Sequence, residues 1–408
     1  MAAIVMDAAE FDAAASATNQ LGIDLHRGFA TGEENLCLSP YSIQSALAMT
    51  FAGAAGETKT EMARVLHFQV GDERIHASFA ALQRALEELA TKSATIAEEA
   101  KKAGGASEPI TISIANRLFA QTGYNFHAAF AELAKKFYGA PFEKMDFQKH
   151  PDPERQRINK WVEDQTRERI RDLIPSGGIR EDTRLVLANA IYLKAPWADP
   201  FLENATKPAP FHVRGGSAVD VPMMRKKDES FGYLKGDGFT AVTMPYIGGE
   251  LQFVVLVPDA VNGLRKLESQ LNIELLAKCA KLEPRDVDLS FPKFKFEPPT
   301  VPLGDALKAL GMKSAFDEPR GSANFDRIAP RKPNDYLYLH EVFHKTFIAV
   351  DEKGTEAAAA TAAVMMQATS IVQRPPPIEV KVDRPFVYAI QHVPSGVCLF
   401  LGRVTDPR

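Results

Sequence analysis

The chain has 408 residues, of which 45% are hydrophobic and 25% are charged, and its formal net charge is −4. This composition is typical of a folded globular protein, and the length allows one large domain or two to three ordinary ones. A small negative net charge does not favour nucleic acid or an anionic membrane as a partner. Composition therefore points away from nucleic-acid-binding and membrane-surface proteins.

The three cysteines are too few for a disulfide framework. Cys37, Cys279 and Cys398 each lie among apolar residues, so we expect buried free thiols. No stretch of eighteen apolar residues occurs, and we therefore expect no transmembrane helix. The first twenty residues lack a charged segment followed by a long apolar run, so they do not predict a signal peptide.

The first half of the chain alternates predicted helices with predicted strands. Ser39 and Pro40 are typical of a helix start, with Ser39 as the N-cap and Pro40 in the first turn. The tract from Thr91 to Lys102 is polar and charged, which predicts a solvated helix face, with a cofactor-binding helix as the alternative. Further helices are predicted at 74–103, 128–137 and 154–174, and strands at 110–120 and 185–193.

The second half contains more strand signals. Short strands are predicted between 211 and 258, helices near 263–281 and 302–310, and a long buried strand over 336–350. The last predicted element is a hairpin over 386–403, which turns around Pro394-Ser395-Gly396. Because no repeat or low-complexity linker divides the sequence, we expect a single mixed α/β domain over residues 1–408.

The segment after the predicted strand, residues 351–370, consists mainly of small residues. On composition alone, the segment could be an Ala-rich helix or a plain linker. In a strand, however, alternate side chains share a face. One face would then carry only small uncharged side chains, and Glu356 would lie on the other: Thr355, Ala357, Ala359, Thr361, Ala363. Such a segment can be a loop in one state and a strand between two existing strands in another. In the loop state, before insertion, we expect residue 355 to lie near the surface.

The residues Glu352-Lys-Gly-Thr-Glu-Ala-Ala-Ala-Ala-Thr361 resemble the hinge of the reactive-centre loop of inhibitory serpins, a family of serine protease inhibitors. Other segments resemble the family in the expected order, namely Asn35–Met49, Ile158–Thr166, Leu187–Trp197, Pro222–Met224, Pro292–Phe294, Leu310–Met312 and Phe400–Val404. The resemblance implies a mixed α/β (α+β) fold with three β-sheets, about nine helices and an exposed reactive-centre loop at about 354–377. It also implies an inhibitor that acts as a suicide substrate, not an enzyme.

The resemblance also implies roles for individual residues. The loop hinge comprises Glu352, Gly354, Thr355, Glu356, Ala357, Ala358, Ala359, Ala360 and Thr361. Ser39, Ser42, Asn189 and His344 resemble the polar cluster that controls opening of the main sheet, and Trp197 resembles the residue at its top. Each has a purely structural alternative, because Ser39 can be only a helix cap, Asn189 only a satisfied buried amide and Trp197 only core packing.

The scissile bond in this family usually lies seventeen residues from the glutamate that starts the hinge. Counting from Glu352 places it at Ala368–Thr369, and a small residue before the bond suits an elastase-like or subtilisin-like target protease. A shift of two residues would present Met366 to chymotrypsin-like enzymes. Arg374 is a poor trypsin site because Pro375 follows it. The inhibitor is expected to be a monomer with no cofactor.

Two segments are longer than the family usually has, at about 91–109 and 369–385. The extra residues of the second segment allow more than one position for the end of the loop and for the bond that is attacked. A non-inhibitory carrier or binding protein of the same fold is the competing class, and such proteins often place proline or charge on the inserting face, which this sequence does not. The resemblance favours an extracellular protein, whereas the lack of a signal peptide leaves a cytoplasmic one open.

One motif points to different chemistry. His340-Glu-Val-Phe-His344 fits H-E-x-x-H, the zinc-protease pattern, which needs both histidines on one helical face. The motif lies in the run that favours a strand, where residues four apart stand about 13 Å apart. Two ligands of one zinc ion cannot be that far apart. We therefore expect no metal site and no zinc-dependent peptidase activity.

Overall fold

The computed structural model describes residues 12–69, 71–102, 108–213, 218–356 and 376–408. Nine α-helices occur in these ranges, none of them long and apolar enough to cross a membrane. In chain order they are α1 (Asp12–Phe29), α2 (Pro40–Ala52), α3 (Gly56–Val65), α4 (Asp72–Lys102), α5 (Ala128–Tyr138), α6 (Pro151–Gln165), α7 (Leu264–Gln270), α8 (Ile273–Cys279) and α9 (Gly304–Ala309).

Seventeen strands accompany these helices in the described ranges. They are β1 (Leu36–Leu38), β2 (Thr111–Gln121), β3 (Phe142–Met145), β4 (Leu185–Pro196), β5 (Lys207–His212), β6 (Ala218–Lys235), β7 (Phe239–Pro245), β8 (Leu251–Pro258), β9 (Pro284–Pro292), β10 (Phe294–Phe296), β11 (Val301–Pro302), β12 (Phe343–His344), β13 (Ile348–Asp351), β14 (Gly354–Thr355), β15 (Ile378–Lys381), β16 (Phe386–His392) and β17 (Cys398–Val404).

The strands form three sheets within the described part of the chain. One has the order β1-β17-β16-β8-β7-β6-β9-β15, with β5 paired to β6. The second, called the main sheet below, has the order β10-β13-β14-β4-β2-β3, and the third consists of β11 and β12. The predicted mixed α/β class, with three sheets and about nine helices, is confirmed.

Helix α2 is almost entirely buried, as its continuous run of apolar and small residues predicts. Ser39 is its N-cap, since the Ser39 Oγ accepts a hydrogen bond from the Ser42 backbone N–H at 3.3 Å, and Pro40 occupies the first turn. The predicted helix start is confirmed. The helix contributes to a large hydrophobic core that also takes residues from the main sheet and the nine-stranded sheet.

Three predicted elements are wrong in extent. The helix predicted over 154–174 ends at Gln165, because Thr166 caps it and Arg167 and Glu168 have positive φ. The helix predicted near 263–281 is divided into α7 and α8 at Asn272, whose side chain caps the second helix. The strand predicted over 336–350 forms only β12 and β13.

The predictions for the cysteines and for the C-terminal hairpin are confirmed. All three cysteines are buried free thiols, and burial raises the pKa of Cys37 to about 11. The C-terminal hairpin is present as β16 and β17, whose residues are buried throughout.

Candidate functional site

The hinge of the small-residue segment is already part of the main sheet. β14 pairs with β13 through Val350 and Thr355, and with β4 through Thr355 and Ala195. Thr355 is only 4% exposed. Gly354 has φ +151°, and a Cβ there would lie 2.1 Å from the Ala195 carbonyl oxygen, so only glycine fits between the strands. The expectation that residue 355 lies near the surface before insertion is therefore wrong.

The core face of the hinge is held by an aromatic pair. The hydroxyl groups of Tyr246 and Thr355 are hydrogen-bonded to each other. The Tyr246 ring stacks on Trp197 with a centroid distance of 4.6 Å, and the Trp197 indole N–H donates to the Asp351 carbonyl at 3.0 Å. Burial raises the pKa of Tyr246, which keeps its phenol neutral. Trp197 thus lies at the top of the main sheet, beside the first inserted residue.

The opposite face of the hinge carries an ion pair. Glu356 Oε1 lies 2.5 Å from Arg169 Nε and accepts a hydrogen bond from the Tyr192 hydroxyl at 3.2 Å. Burial, and then the charge of Glu356, raise the pKa of Tyr192 to about 12. Glu356 has φ +47°, so the chain turns out of the sheet at this residue. Glu356 lies on the other face from Thr355, as strand alternation predicts.

Glu352, which starts the hinge, is buried and paired. Its carboxylate accepts hydrogen bonds from Lys293 Nζ at 2.8 Å and from Thr206 Oγ1 at 2.9 Å. Burial alone would raise the pKa of Glu352, but these hydrogen bonds and the lysine charge outweigh it and lower the pKa. The Phe201 backbone N–H also donates to the Glu352 carbonyl at 2.8 Å. These contacts fix the root of the loop to the top of the sheet.

Among the described residues, the lower half of β4 has a paired neighbour on one side only. β4 pairs with β2 along almost its whole length. On its other side only Ala195 and Pro196 of β4 have described partners, which are Thr355 and Gly354 of β14. Below this point a cavity of about 180 Å³ lies between β4 and the segment 336–345, and Leu185 and Leu187 of β4 line it. The floor of the cavity is formed by α2, and further walls by residues 170–184. An unpaired strand edge beside a cavity can accept another strand.

The four predicted cluster residues meet in the lower half, between α2 and the main sheet. The Ser39 backbone N–H donates to His344 Nε2 at 3.0 Å, and the Ser42 hydroxyl donates to Asn189 Oδ1. Because Nε2 accepts this bond, His344 is neutral, and burial lowers its pKa to about 4. The cluster connects α2, β4 and β12, and Trp197 lies apart from it at the top of β4.

A further member of the cluster, Asn116, was not predicted. The Asn189 side-chain amide donates to Asn116 Oδ1, and Asn116 Nδ2 donates to the Tyr138 carbonyl at 2.9 Å. Asn116 and Asn189 are register partners on β2 and β4. A lone amide within an apolar run was the available signal for Asn189, whereas Asn116 lies in a strand that also contains Thr, Ser and Arg residues. Tyr246, Arg169 and Lys293 had no comparable signal in the sequence.

The H-E-x-x-H motif does not lie on a helix. His340 is exposed, and its ring is 3.2 Å from an Arg180 guanidinium nitrogen, whereas His344 is buried against Ser39. Burial, and then the Arg180 charge, lower the pKa of His340. In the described ranges no group of three or more His, Cys, Asp or Glu side chains is arranged to hold a metal ion.

Part of the predicted site lies outside the described residues. The hinge residues Ala357, Ala358, Ala359, Ala360 and Thr361 belong to this part, as do Ala368 and Thr369 of the predicted scissile bond. The described chain resumes at Pro376, and β15 then pairs with β9 in parallel.

Comparisons with known proteins agree over nearly the whole chain. The family model described as "Serpin (serine protease inhibitor)" matches residues 16–407. The bovine (Bos taurus) leukocyte elastase inhibitor is 37% identical over 381 residues, covering 91% of this chain and 93% of that protein. An uncharacterized serpin-like protein of Thermococcus kodakarensis is 34% identical over 396 residues, covering 96% of this chain and 85% of that protein.

Solved structures give the same result. The structure of cleaved Serpin 42Da matches with a TM-score of 0.82 and 30% identity, covering 98% of this chain and all of that one. Uncleaved ovalbumin matches with a TM-score of 0.78 and 26% identity, covering 96% of this chain and 99% of that one.

Proposed function

This chain belongs to the serpin family of serine protease inhibitors. We propose that it acts as a suicide substrate of an elastase-like protease and traps that protease as an acyl-enzyme. The observation that carries the proposal is the hinge, since β14 pairs with the upper end of β4, and below it β4 has no described partner on that side. The protease would cut the loop and form an acyl-enzyme through its own serine. The freed segment would then continue β14 downward before the acyl-enzyme is hydrolysed.

The register of the hinge predicts how far this insertion can run. β14 is antiparallel to β4, with Thr355 opposite Ala195, so each further residue would lie opposite the preceding residue of β4. Continuing the register places residue 365 opposite Leu185, the first residue of β4. The core-facing positions would be those that share the face of Thr355, and none of them is charged: Ala357, Ala359, Thr361, Ala363, Met365. Only Met365, at the far end of the new strand, is large.

The insertion releases enough free energy to distort a bound enzyme. Ten residues that each gain about 1 kcal/mol net from ladder hydrogen bonds contribute on the order of 10 kcal/mol. This is comparable with the stability of a whole domain. The protein itself would carry out no turnover, because the bond chemistry belongs to the protease.

Two observations support an elastase-like target. Several relatives, from cattle, horse, rat and man among others, bear the name leukocyte elastase inhibitor. The count from Glu352 also places a small residue, Ala368, before the cut. Subtilisin-like enzymes share this preference, and a shift to Met366 would instead favour chymotrypsin-like enzymes.

A panel of pancreatic elastase, subtilisin, chymotrypsin and trypsin tests the proposal. We expect an SDS-stable complex with elastase or subtilisin, and mass spectrometry should find a released fragment that starts at Thr369. A fragment that starts at Gln367 or Pro375 would contradict this register. Ala368→Arg should transfer inhibition to trypsin, whereas the matched variant Met366→Arg should not.

Cleavage without any stable complex would instead support the non-inhibitory binding class. We further propose a single-domain monomer that needs no cofactor, which light scattering and inhibition by the purified chain alone would test. Whether the protein acts outside cells or in the cytoplasm would be tested by fractionation of the cells that express it.

A further inference from the structure

We infer that the C-terminal half of α4 is a positioning element for the hinge, because it braces the turn that carries Tyr246. This turn, Tyr246–Glu250, connects β7 to β8. Its first residue is the one that bonds to Thr355 and stacks on Trp197. Any displacement of the turn therefore moves the hydroxyl group that holds the hinge in the sheet.

The turn is hydrogen-bonded to the top of β4. Gly248 and Gly249 both have positive φ, +83° and +72°, which a tight turn between two strands requires. The Ile247 N–H donates to the Pro196 carbonyl at 2.9 Å, and the Ala198 N–H donates to the Pro245 carbonyl at 3.0 Å. The turn and the hinge thus share one support, the end of β4.

Helix α4 reaches this turn through two side chains. A Cβ added to Gly248 would lie 3.3 Å from Cδ1 of Ile96, so the isoleucine covers the backbone of the turn. Lys92 Nζ lies 2.8 Å from Glu250 Oε1 at the other end of the turn. Ile96 is 38% exposed, so it lies at the surface where α4 meets the turn.

The end of α4 is itself anchored. Ser93 is buried, and its hydroxyl accepts a hydrogen bond from the Ile110 backbone N–H at 3.0 Å. Ala97, one turn later, is also buried. The prediction that the tract from Thr91 to Lys102 is only a solvated face is wrong for these two positions. The extra length of this tract extends α4 as far as the turn.

The functional consequence rests on the proposed inhibition. Thr355 keeps the same neighbours, β13 and β4, when insertion proceeds beyond it. Thr355 is already paired in the sheet before cleavage, so it can serve as the nucleus from which the new strand grows. Insertion then does not have to begin by ordering Thr355. Loosening the turn would unseat Thr355 and slow insertion relative to hydrolysis of the acyl-enzyme.

Amide hydrogen exchange in the uncleaved protein tests the positioning role without any protease. Ile96→Asp and Lys92→Met should accelerate exchange at Thr355 and at Glu356, whose N–H donates to the Ala349 carbonyl. The matched controls Thr95→Asp and Lys101→Met, at other exposed positions of α4, should leave it unchanged. Unchanged exchange in Ile96→Asp would overturn the inference, even if the protein inhibits elastase.

The ratio of hydrolysed to trapped inhibitor tests the consequence. Tyr246→Phe removes only the hydroxyl, and loss of one hydrogen bond, at about 1 kcal/mol, should raise this ratio about fivefold. Ile96→Asp should raise it in the wild-type background but add little to Tyr246→Phe, because both act through the same bond. If the increases in this ratio caused by Ile96→Asp and Tyr246→Phe instead multiply in the double variant, α4 does not act through Tyr246. If wild type forms no complex, the proposed function fails, and the exchange experiment still decides the positioning role.

Discussion

The upper and lower halves of the main sheet differ in how the gap between β4 and β13 is filled. In the upper half the hinge occupies the gap, with Tyr246 on one face and Arg169 on the other. In the lower half β4 has no described partner on the side of the cavity, and the polar cluster around Asn189 lies nearby. Insertion of the cleaved loop therefore extends an existing strand, β14, along the edge of β4.

This difference predicts that the two halves respond differently to substitution. Changes in the upper half act on the hinge, so they should alter the fate of the attacking protease more than the stability of the protein. Changes in the lower half remove hydrogen bonds between α2, β2 and β4, so they should alter stability first. The following predictions, from the largest expected effect to the smallest, test this division.

Thr355→Arg should convert the inhibitor into a substrate. A buried unpaired guanidinium costs several kcal/mol, and about 3 kcal/mol on the insertion barrier slows that step more than a hundredfold. In the uncleaved protein the arginine can reach water if β14 leaves the sheet, which should cost only about 1–2 kcal/mol of stability. Gel analysis of the reaction with elastase should show cleaved inhibitor and no SDS-stable complex.

Thr355→Ser is the matched control, because it keeps the hydroxyl that bonds to Tyr246. It should inhibit nearly as well as wild type. Covalent complex formation by Thr355→Arg at wild-type stoichiometry would refute strand insertion as the trapping step.

Acid should destabilise the protein between pH 6.5 and pH 4. Burial lowers the pKa of both His344 and His392 to about 4, so the unfolded chain binds protons in this range that the folded protein does not. The stability from each histidine is fully present above pH 6.5 and is lost as the pH falls, by about 3 kcal/mol per histidine at pH 4. Urea unfolding at pH 7, 5.5 and 4.5 measures the effect.

His344→Gln isolates the contribution of the lower half. Glutamine does not titrate, so this variant should lose less stability between pH 7 and pH 4.5 than wild type does. An identical pH dependence in the variant would mean that His344 is not protonated on unfolding in this range.

Asn116→Ala should lower the free energy of unfolding by about 1–3 kcal/mol. The substitution leaves the Asn189 amide and the Tyr138 carbonyl without the partners that they have in the folded protein. The exposed Asn204→Ala should change stability by less than about 0.5 kcal/mol. Chemical denaturation of both variants makes the comparison, and equal stability would remove Asn116 from the cluster.

Arg169→Gln should have the smallest effect on the free energy of unfolding, which chemical denaturation measures. Arg169 is 46% exposed in its side chain, and exposed ion pairs contribute about 0.2–1 kcal/mol. Glu356→Gln should have a similar effect, and the double variant should show coupling between the two. Glu356→Arg, which strand alternation alone suggests as a neutral change, is expected to be harmful, because it would bring two guanidinium groups together.

Local chemistry made several features predictable from sequence. Ser39 and Pro40 mark the start of α2, and the apolar run at 185–193 marks most of β4. Strand alternation correctly placed Thr355 and Glu356 on opposite faces. The resemblance selected Ser39, Ser42, Asn189 and His344, which the structure brings together.

Other features depend on partners that the sequence does not reveal. β-Propensity over 336–350 predicts a full strand, but a strand needs a neighbour, and the adjacent edge of β4 is separated from this run by the cavity. Alternation also cannot tell whether Thr355 is inside or outside the sheet before cleavage. The contacts of Tyr246 and Arg169 with the hinge span more than a hundred residues of sequence, so no local pattern could indicate them.

The position of the last two strands has a consequence for the order in which the protein can fold. β16 and β17 lie inside the nine-stranded sheet, between β8 and β1, although they follow the other described strands in the sequence. A nascent chain that still lacks them leaves the facing edges of β8 and β1 without their partners. We therefore expect the core to close only after β17 has emerged from the ribosome. Ribosome-stalled chains that lack β17 should be sensitive to protease, and resistance of such chains would contradict this order.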